Sequence, residues 1–467
     1  FIRIKISKRR DIYGNYYGCY YQLFQLALGN PHVSTISRGS IFLTIRLGFV
    51  QFKYFPFAMK ETFGNMFKKS EGEGTISSFQ AATTALASCI GAANIVGVPV
   101  AITFGGPGAV FWMWLVALIG AGAKFSEIVL AINYREVNEE GEYVGGPMYY
   151  LSKGIKGPLG KLLGILFSFF LMIEIAPSIS AQTVSVVQSA STINIPNWLV
   201  GIVLASIVGI VAFGGIKRIG QVAERLVPFM SILYVLGAVA IIIINITELP
   251  GAIASIFKHA FTLAAAVGGF AGATITQAIR WGMARGVYSN ESGMGTAPIA
   301  HATATTDHPV RQAMWGLFEN VVDTLIVCTA TALVVLVTGL YQEIPGSRAG
   351  TIPSLAFQGI FGESLGGIIV TINLSLFVLS TIIAIVYYGE KQAEYLFGTA
   401  FSKVMRIIYI ISILLGAIAD LEFIYQFMDL MLALVIIPNM LGLLLLSGKV
   451  KELKDEFFES SKYYKKI

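Results

Sequence analysis

The stretch that decides the fold is Gly91–Pro99, which reads GAANIVGVP and interrupts an apolar segment over residues 79–104. About 20 apolar residues in a helix cross about 30 Å of hydrocarbon, so this segment predicts a membrane span. Glycine and proline break such a helix, and the freed backbone groups then need partners inside the membrane. The exposed N–H end suits a carboxylate and the exposed C=O end suits a cation. The break therefore predicts a binding site.

A second interrupted segment, over 262–288, carries Gly268–Gly272 (GGFAG) and is followed by Tyr288–Gly295 (YSNESGMG). Small residues in a span can simply allow close helix packing, and for Gly268–Gly272 this reading stays as good as a functional one. For Tyr288–Gly295 and Gly91–Pro99 we favour a functional role, because close helix packing does not explain Asn and Glu side chains inside a membrane.

The composition indicates a membrane protein. Hydrophobic residues make up 55% of the chain and charged residues only 13%, with a mean hydropathy of +0.71. A soluble domain has roughly 25% charged residues. The predicted fold class is therefore an all-α polytopic membrane protein with about eleven transmembrane helices. A weak span lies near 20–50, and the strong segments are 79–104, 109–133, 160–190, 197–215, 227–246, 262–288, 314–338, 366–388, 404–421 and 425–447.

The strong segments divide into five and five, which predicts two inverted five-helix repeats with an interrupted helix at the start of each. The first repeat is predicted at 77–246 and the second at 247–447. Residues 1–38 form an atypical N-terminal segment, and 39–76 hold the end of the weak first span and a cytoplasmic loop. A cytoplasmic basic tail occupies 448–467.

The basic residues indicate the orientation. Alternate loops hold 24 Lys and Arg residues, and the loops between them hold 2. Positive charge stays cytoplasmic, so we predict a multi-pass inner-membrane protein with a cytoplasmic C-terminus and an extracytoplasmic N-terminus. The basic run at 3–10 does not fit that N-terminal placement, and it does not begin a signal peptide. Because the charges mark topology in a lipid bilayer, nucleic acid is not expected as a partner.

Enzyme chemistry is not indicated. Cys19, Cys89 and Cys328 are widely separated, so neither a disulfide framework nor a metal site is predicted from them. The sequence shows no Ser/His/Asp set, metal-ligand cluster or phosphate loop. We expect no enzyme activity, no organic cofactor and no obligate protein partner.

Several further motifs belong together, and none is specific alone. They are Gly105–Trp114 (GGPGAVFWMW), Lys124–Glu127 (KFSE), Gly145–Tyr150 (GGPMYY), Gly214–Ile219 (GGIKRI), Ala284–Glu291 (ARGVYSNE), Ala297–His301 (APIAH), Asp323–Thr324 and Tyr387–Lys391 (YYGEK). With them, the chain from about Ile41 to Ser447 resembles the alanine/glycine:cation symporter family, within the broader APC-type five-plus-five transporters. The resemblance implies a core like that of the neurotransmitter:sodium symporters, and Na⁺-driven uptake of alanine or glycine.

The resemblance also implies site residues. The implied Na⁺ ligands are the carbonyls of Ala87, Cys89 and Ile90, the side chain of Asn94, and the hydroxyls of Ser380 and Thr381. The resemblance places Gln182, Tyr288 and Thr381 in the pocket for a small neutral amino acid. Together with the helix breaks and the positions beside them, the predicted pocket also contains Gly91, Ala92, Ala93, Asn94, Ser289, Asn290 and Ile385. Oxygen donors of this kind suit a hard cation.

The chain departs from the family pattern inside this pocket. Ala92 and Ala93 stand where the family usually has Thr and Gly, and Ile385 stands where it usually has Trp. Loss of a hydroxyl and an indole would reshape the pocket. We therefore expect an altered and wider substrate range.

Two rival functions remain open. A proton-coupled amino-acid permease would have similar broken helices, but the neutral oxygens of Asn94, Ser380 and Thr381 favour sodium. A channel or membrane sensor is the other rival. Because a channel filter usually repeats one motif around an axis, the two different breaks here favour a single asymmetric site.

Five charged residues in or near the predicted spans are unexplained by packing. Glu174 interrupts an apolar run, and we expect it either to pair across the bundle or to act in transport. Glu319 and Asp323 are spaced i, i+4 and should share one helical face. Lys124 is followed one turn later by Glu127, a spacing that predicts a fixed ion pair or a gating contact.

Overall fold

The computed structural model describes residues 31–464 apart from 69, 192, 262–274 and 419–420. Gly268–Gly272 and most of the predicted N-terminal segment 1–38 lie outside the described residues. The helices of the first half are α1 Pro31–Arg46, α2 Val50–Lys53, α3 Phe55–Asn65, α4 Ser78–Cys89, α5 Val98–Gly105, α6 Ala109–Asn133, α7 Pro147–Gly154, α8 Pro158–Ser191, α9 Asn197–Ala212 and α10 Gly215–Ile244. Those of the second half are α11 Leu249–Phe261, α12 Ile275–Asn290, α13 Ala297–His301, α14 Pro309–Asn320, α15 Thr329–Thr338, α16 Ile352–Phe361, α17 Glu363–Phe397, α18 Thr399–Gly416, α19 Leu421–Leu445 and α20 Ser447–Glu459.

Short irregular elements complete the described chain. Ala93–Gly97 and Val321–Cys328 are π-helical, and the second of these joins α14 to α15. Two 3₁₀ segments, Leu340–Gln342 and Gly346–Thr351, precede α16. A two-stranded antiparallel hairpin follows α6, with β1 at Glu136–Val137 and β2 at Tyr143–Val144.

The membrane fold is confirmed. Among the described residues, six helical stretches are long and apolar enough to cross a membrane: Ala109–Asn133, Pro158–Ser191, Gly215–Ile244, Pro309–Thr338, Glu363–Phe397 and Thr399–Gly416. Two bent pairs qualify when each is taken as one span. They are Ser78–Cys89 with Ala93–Gly105, bent by 45°, and Leu430–Leu445 with Ser447–Glu459, bent by 57°. The count of eleven, the two repeat boundaries and the orientation of the termini stay predictions.

Two predicted loops are helical. Residues 216–226 form the first turns of α10, and α17 continues past the predicted span end at 388 to Phe397. Hydropathy marks only the apolar part of a helix, whereas backbone hydrogen bonding continues into the polar region beside the membrane. Lys124, one of the 24 basic residues assigned to the cytoplasmic loops, lies inside α6 and is fully buried.

The first broken helix starts at a well-defined cap. The Ser77 hydroxyl accepts the Gln80 backbone N–H at 3.1 Å, and the Gln80 side chain accepts the Ser77 backbone N–H at 3.2 Å. This reciprocal capping box fixes the start of α4. The helix then ends at Cys89, two residues before the stretch Gly91–Pro99 where the sequence predicts the break, and the chain resumes a helical path at Ala93.

The second broken helix is interrupted by three residues with positive φ. Glu291 has a φ of 54°, Gly293 of 85° and Gly295 of 83°, between the end of α12 and the start of α13. Glycine adopts this region without steric cost, whereas a glutamate there is uncommon and indicates a locally determined conformation. The structure thus has this break where the sequence predicts one.

The helices around the two breaks form two packed groups. In one group, α6 packs against α12 and α14. In the other, α8 packs against α17, α18 and α19. Helix α4 contacts both groups, through α13 and α14 on one side and α17 on the other. The breaks therefore face the seam between the groups.

The ends of the broken helices are joined by a pair of short extended segments, on the side that the sequence predicts to be cytoplasmic. Residues 73–76 precede α4 and residues 302–306 follow α13, and we call this pair the clamp. The Thr75 N–H donates to the Thr303 carbonyl at 2.8 Å, and the Thr305 N–H donates to the Ile76 carbonyl at 2.7 Å. These bonds connect two halves of the chain that are remote in sequence.

Arg135, just after α6, holds the clamp from one side. Its guanidinium donates to the carbonyls of Ala302 at 3.2 Å and Ala304 at 2.7 Å, and to that of Glu73 at 2.7 Å. It also lies over the Tyr143 ring, 4.3 Å from the centroid. The Tyr143 hydroxyl donates to the Glu73 carboxylate at 2.6 Å, and this bond raises the pKa of Tyr143. The contact therefore persists through neutral pH.

Replacing Arg135 with alanine should loosen the clamp without unfolding the protein. The change removes a charged donor from three carbonyls, and charge-assisted hydrogen bonds contribute about 1.5–3 kcal/mol each. Hydrogen exchange measured by mass spectrometry should show amides of 73–76 and 303–306 exchanging at least about tenfold faster. Arg218→Ala is the matched control, because that exposed side chain donates to a single carbonyl elsewhere, that of Ile210. Unchanged exchange in the clamp would contradict the assigned role of Arg135.

Candidate substrate and cation site

A cavity lies between the two breaks and helices α8, α17 and α19. It is lined by Ser88, Cys89, Ala93, Glu174, Ile175, Ser178, Gln182, Tyr288, Glu291, Met294, Thr296, Thr381, Ile385 and Leu432. Five residues of the predicted pocket are among them: Ala93, Gln182, Tyr288, Thr381 and Ile385. The lining contains two carboxylates and no lysine or arginine, so the field inside the cavity favours cationic groups.

The backbone N–H groups at the first break are held by side-chain oxygens. The Gly91 N–H donates to the Asn94 Oδ1 at 2.9 Å, and the Ala92 N–H donates to the Gln182 Oε1 at 3.1 Å. Both acceptors are neutral amide oxygens, and a carboxylate is a stronger acceptor for such N–H groups. A carboxylate can therefore accept hydrogen bonds from the adjacent N–H groups of Gly91 and Ala92 in place of these amide oxygens. The sequence predicts such a role for the N–H end of the broken helix.

The hydroxyl of Thr381 meets the carbonyl end of α4. Its Oγ1 lies 3.0 Å from the Ala87 carbonyl oxygen and 3.4 Å from that of Ile90. The structure thus brings together three of the implied Na⁺ ligands, and we call them the Thr381 cluster. The neighbouring Ser380 hydroxyl lies against the Met230 sulfur at 3.3 Å, so it does not reach these carbonyls.

A second group of oxygens surrounds a carboxylate, and we call it the Asp323 cluster. The Asn94 amide donates to Asp323 Oδ1 at 2.7 Å, and the Ser289 hydroxyl donates to Oδ2 at 2.7 Å. The Thr324 hydroxyl donates to Oδ2 at 2.8 Å. The Asn94 amide also lies 3.1 Å from the Ser289 hydroxyl oxygen, so these side chains from α12, the first break and the π-helical segment converge.

Asp323 is fully buried, and none of the ion pairs formed by the described residues includes it. An ionised carboxylate in a dry interior costs several kcal/mol unless a cation balances it. The Asp323 cluster is therefore a candidate cation site. From the sequence alone, Asp323 is only a motif residue that is predicted to share a helical face with Glu319. The two diverge at the π-helical turn, and Glu319 joins a separate network.

The remaining predicted residues occupy the walls around the two clusters. The Asn290 carbonyl accepts the Lys124 ammonium at 2.9 Å, and the Cys89 thiol lies 3.8 Å from the same oxygen. The predicted pair of Lys124 with Glu127 is wrong, because Lys124 pairs with Glu319 at 2.9 Å. Glu127 instead accepts a hydrogen bond from the Asn439 amide at 2.6 Å.

The two cavity carboxylates are held by neighbouring hydroxyls. Glu174, which the sequence singles out, accepts a hydrogen bond from Ser178 on the next turn of α8. Glu291 accepts hydrogen bonds from Ser88 at 3.1 Å and Thr296 at 2.6 Å. Because both side chains line the cavity, they are candidates for contact with the ammonium group of a substrate.

Comparison with known proteins agrees with this geometry. The sodium:alanine symporter family model matches residues 24–466. The chain is 48% identical over 440 residues to the uncharacterized transporter YflA of Bacillus subtilis, which covers 94% of this chain and 93% of that protein. It is 44% identical over 427 residues to the sodium/alanine symporter AgcS of Methanococcus maripaludis, covering 90% and 92%.

Among solved structures, the fold is similar to that of MhsT in complex with L-phenylalanine. The TM-score is 0.61 at 15% sequence identity, and the match covers 84% of this chain and 94% of that chain. The neurotransmitter:sodium-symporter-like core expected from the sequence is thereby confirmed. The protein is a multi-pass membrane transporter for amino-acid symport rather than an enzyme. The chain belongs to the sodium:alanine symporter family.

Proposed function

We propose that the protein carries a small neutral amino acid, alanine or glycine, into the cell together with Na⁺ by alternating access. The observation that carries the proposal is the pair of oxygen clusters at the helix breaks, the Thr381 cluster and the Asp323 cluster. The first includes carbonyls that precede Gly91 and the second includes Asn94, which follows it. The Thr381 cluster offers neutral oxygens, and the Asp323 cluster offers a buried carboxylate. Hard oxygen donors of this kind suit an alkali cation.

The substrate fits between these clusters by its charges. Its carboxylate takes the N–H groups of Gly91 and Ala92, replacing the amide oxygens that hold them. Its ammonium faces the carboxylates of Glu174 and Glu291 in the cavity lining. Alternating access then exposes this site to one side of the membrane at a time, as the two helix groups move about the breaks.

The test is uptake of labelled alanine, glycine and leucine into proteoliposomes that contain the purified protein. Saturable uptake should require Na⁺ and fall to background when choline replaces Na⁺ at fixed pH. Asn94→Ala should remove uptake as well, because Asn94 contacts both the Gly91 N–H and Asp323. Undiminished uptake in choline would rule out sodium coupling.

Proton coupling is the second candidate, and one observation favours it. The cavity lining includes the carboxylates of Glu174 and Glu291, which are titratable groups at the place where a proton-coupled carrier needs them. The choline experiment separates the two candidates. Proton coupling predicts uptake that survives without Na⁺ and collapses when a protonophore dissipates the pH gradient.

We expect substrate range to depend on Ile385, which lines the cavity from α17. Larger neutral amino acids such as leucine should compete with labelled alanine in the wild type. Ile385→Trp restores the bulk usual in the family and should weaken that competition about tenfold or more, since overpacking a site costs about 1–3 kcal/mol. Ile372→Trp, on a 49% exposed position of the same helix, is the matched control. Strict selectivity for alanine and glycine in the wild type would contradict this expectation.

A further inference from the structure

A lysine ammonium lies at the point where the two helix breaks meet. Lys124 is fully buried in α6, and its Nζ lies 2.9 Å from the Asn290 carbonyl oxygen and 2.9 Å from Glu319 Oε2. It also lies 3.6 Å from the Cys89 sulfur. A buried lysine is rare in any protein and is more costly in a membrane, so its position requires a reason.

The two residues beside this ammonium share a structural property. Cys89 is the last residue of α4 and Asn290 is the last residue of α12, so each ends the helix that precedes a break. The C-terminal end of a helix carries a partial negative charge because its last carbonyls lack partners. One ammonium thus contacts the last residue of both helices, through the Asn290 carbonyl at the end of α12 and the Cys89 thiol at the end of α4.

The carboxylate in direct contact with Lys124 is that of Glu319. Glu319 Oε1 also lies 2.5 Å from the His301 Nε2, and the His301 Nδ1 lies 2.9 Å from the Gln312 amide nitrogen. An imidazole that donates from Nε2 and accepts at Nδ1 satisfies both contacts in its neutral form. With His301 neutral, the positive charge of Lys124 is stabilised by Glu319 and by the helix ends.

The same network holds both sides of the second break. Asn290 precedes the break and contacts Lys124, whereas His301 lies in α13 after the break and contacts Glu319. Lys124 and Glu319 lie on α6 and α14, which pack against each other. The ion pair thus ties the broken helix to a rigid pair of neighbours.

The network is adjacent in sequence to both candidate cation clusters. Ile90 of the Thr381 cluster follows Cys89 directly, and Ser289 of the Asp323 cluster directly precedes Asn290. A shift of either helix end would therefore move an oxygen of one cluster. The separation between the Thr381 cluster and the Asp323 cluster therefore depends on the Lys124 ammonium, which contacts both helix ends.

We propose that Lys124 is a tethered cation that sets the positions of the two helix breaks and thereby the affinity of the transporter for its coupling cation. It is a positioning residue, since its ammonium contacts the ends of the helices and not the Thr381 or Asp323 oxygens. The proposal rests on the proposed sodium-coupled function. It requires the charge at this position and not only a side chain that fills the space.

Chemical rescue tests this requirement in proteoliposomes. Lys124→Ala should lower Na⁺-driven alanine uptake at least tenfold and raise the Na⁺ concentration for half-maximal uptake. The deletion leaves space beside Glu319, so ethylammonium at millimolar concentration should restore uptake severalfold, whereas tetraethylammonium should not. Lys161→Ala, at an exposed position of α8, is the matched control and should behave as the wild type.

A second variant keeps the test decisive if Lys124→Ala fails to fold. Lys124→Met/Glu319→Gln removes both charges of the ion pair, so Glu319 is not left as a buried carboxylate without its partner, and size-exclusion chromatography should show a folded protein. We expect this folded variant to transport at least tenfold more slowly than the wild type, and ethylammonium to have no effect on it. Uptake within twofold of the wild type in this variant would overturn the proposal. A folded Lys124→Ala protein that does not respond to ethylammonium would overturn it as well.

The two hypotheses fail differently in these assays. Wild-type uptake that persists in choline contradicts sodium coupling, whatever the variants do. Wild-type uptake that requires Na⁺, together with a fully active neutral double variant, contradicts only the tethered-cation role of Lys124.

Discussion

Asp323→Asn is expected to raise the Na⁺ concentration for half-maximal uptake at least tenfold, which corresponds to about 1.4 kcal/mol of binding free energy. Asparagine has the shape of aspartate, so the contacts with Asn94, Ser289 and Thr324 can be kept with their donors and acceptors rearranged. The negative charge is lost, and this charge is the part of the Asp323 cluster that attracts a cation. Because the site is buried, water screens the charge weakly and the effect should be large.

Ligand-induced stabilisation gives an independent measurement of the same change. A cation that binds only the folded protein raises its midpoint of thermal unfolding. The wild type should therefore be stabilised by NaCl relative to choline chloride, and Asp323→Asn should show a much smaller shift. Glu363→Gln neutralises an exposed carboxylate at the start of α17 and serves as the control. Equal Na⁺ shifts in wild type and Asp323→Asn would show that the carboxylate does not bind the cation.

Gly91→Ala should abolish uptake, with a loss of about a hundredfold or more. A Cβ atom at position 91 would lie 2.6 Å from the Thr381 Oγ1 and 3.2 Å from the Gln182 Nε2. The added methyl group would push the Thr381 hydroxyl out of the Thr381 cluster. It would also displace the Gln182 side chain in the pocket. Overpacking of this kind costs about 1–3 kcal/mol, which a folded membrane protein of this size can tolerate. We therefore expect a folded but inactive protein.

The matched control for this prediction is Gly251→Ala in α11, where an added Cβ meets no atom within 4 Å. Uptake of labelled alanine should match the wild type in the control and be lost in Gly91→Ala. The double variant Gly91→Ala/Thr381→Ser removes the methyl group of Thr381 and gives the side chain room to turn. Full activity of Gly91→Ala would show that the first break is not the binding site.

Much of the fold follows from local sequence. Apolar runs predict the membrane helices, and glycine with polar residues predicts both breaks, because these signals depend on neighbouring residues only. The boundaries of α10 and α17 are less accurate, since hydropathy reports where the membrane ends and not where the helix ends. The family resemblance supplied pocket residues that line the cavity, among them Gln182 and Tyr288.

The polar partners inside the bundle follow from packing and could not be predicted in this way. Asn94 and Asp323 are 229 positions apart, and nothing local indicates that their side chains meet. Lys124 was expected to pair with Glu127 because one helical turn separates them. In the structure α6 directs these side chains to different neighbours, so the ion pair forms with Glu319 across the helix interface.

The clamp has a consequence for how the protein is made. Ser78, at the start of α4, bonds to the Thr305 carbonyl 227 positions later, and the clamp pairs equally remote segments. A ribosome delivers chain at roughly 5–20 residues per second, so the first segment waits at the membrane surface for on the order of ten seconds or longer. Until then the inner end of α4 has no partner from 302–306. A nascent or truncated chain therefore exposes unpaired backbone N–H and C=O groups at 73–76 that quality-control proteases and chaperones can recognise.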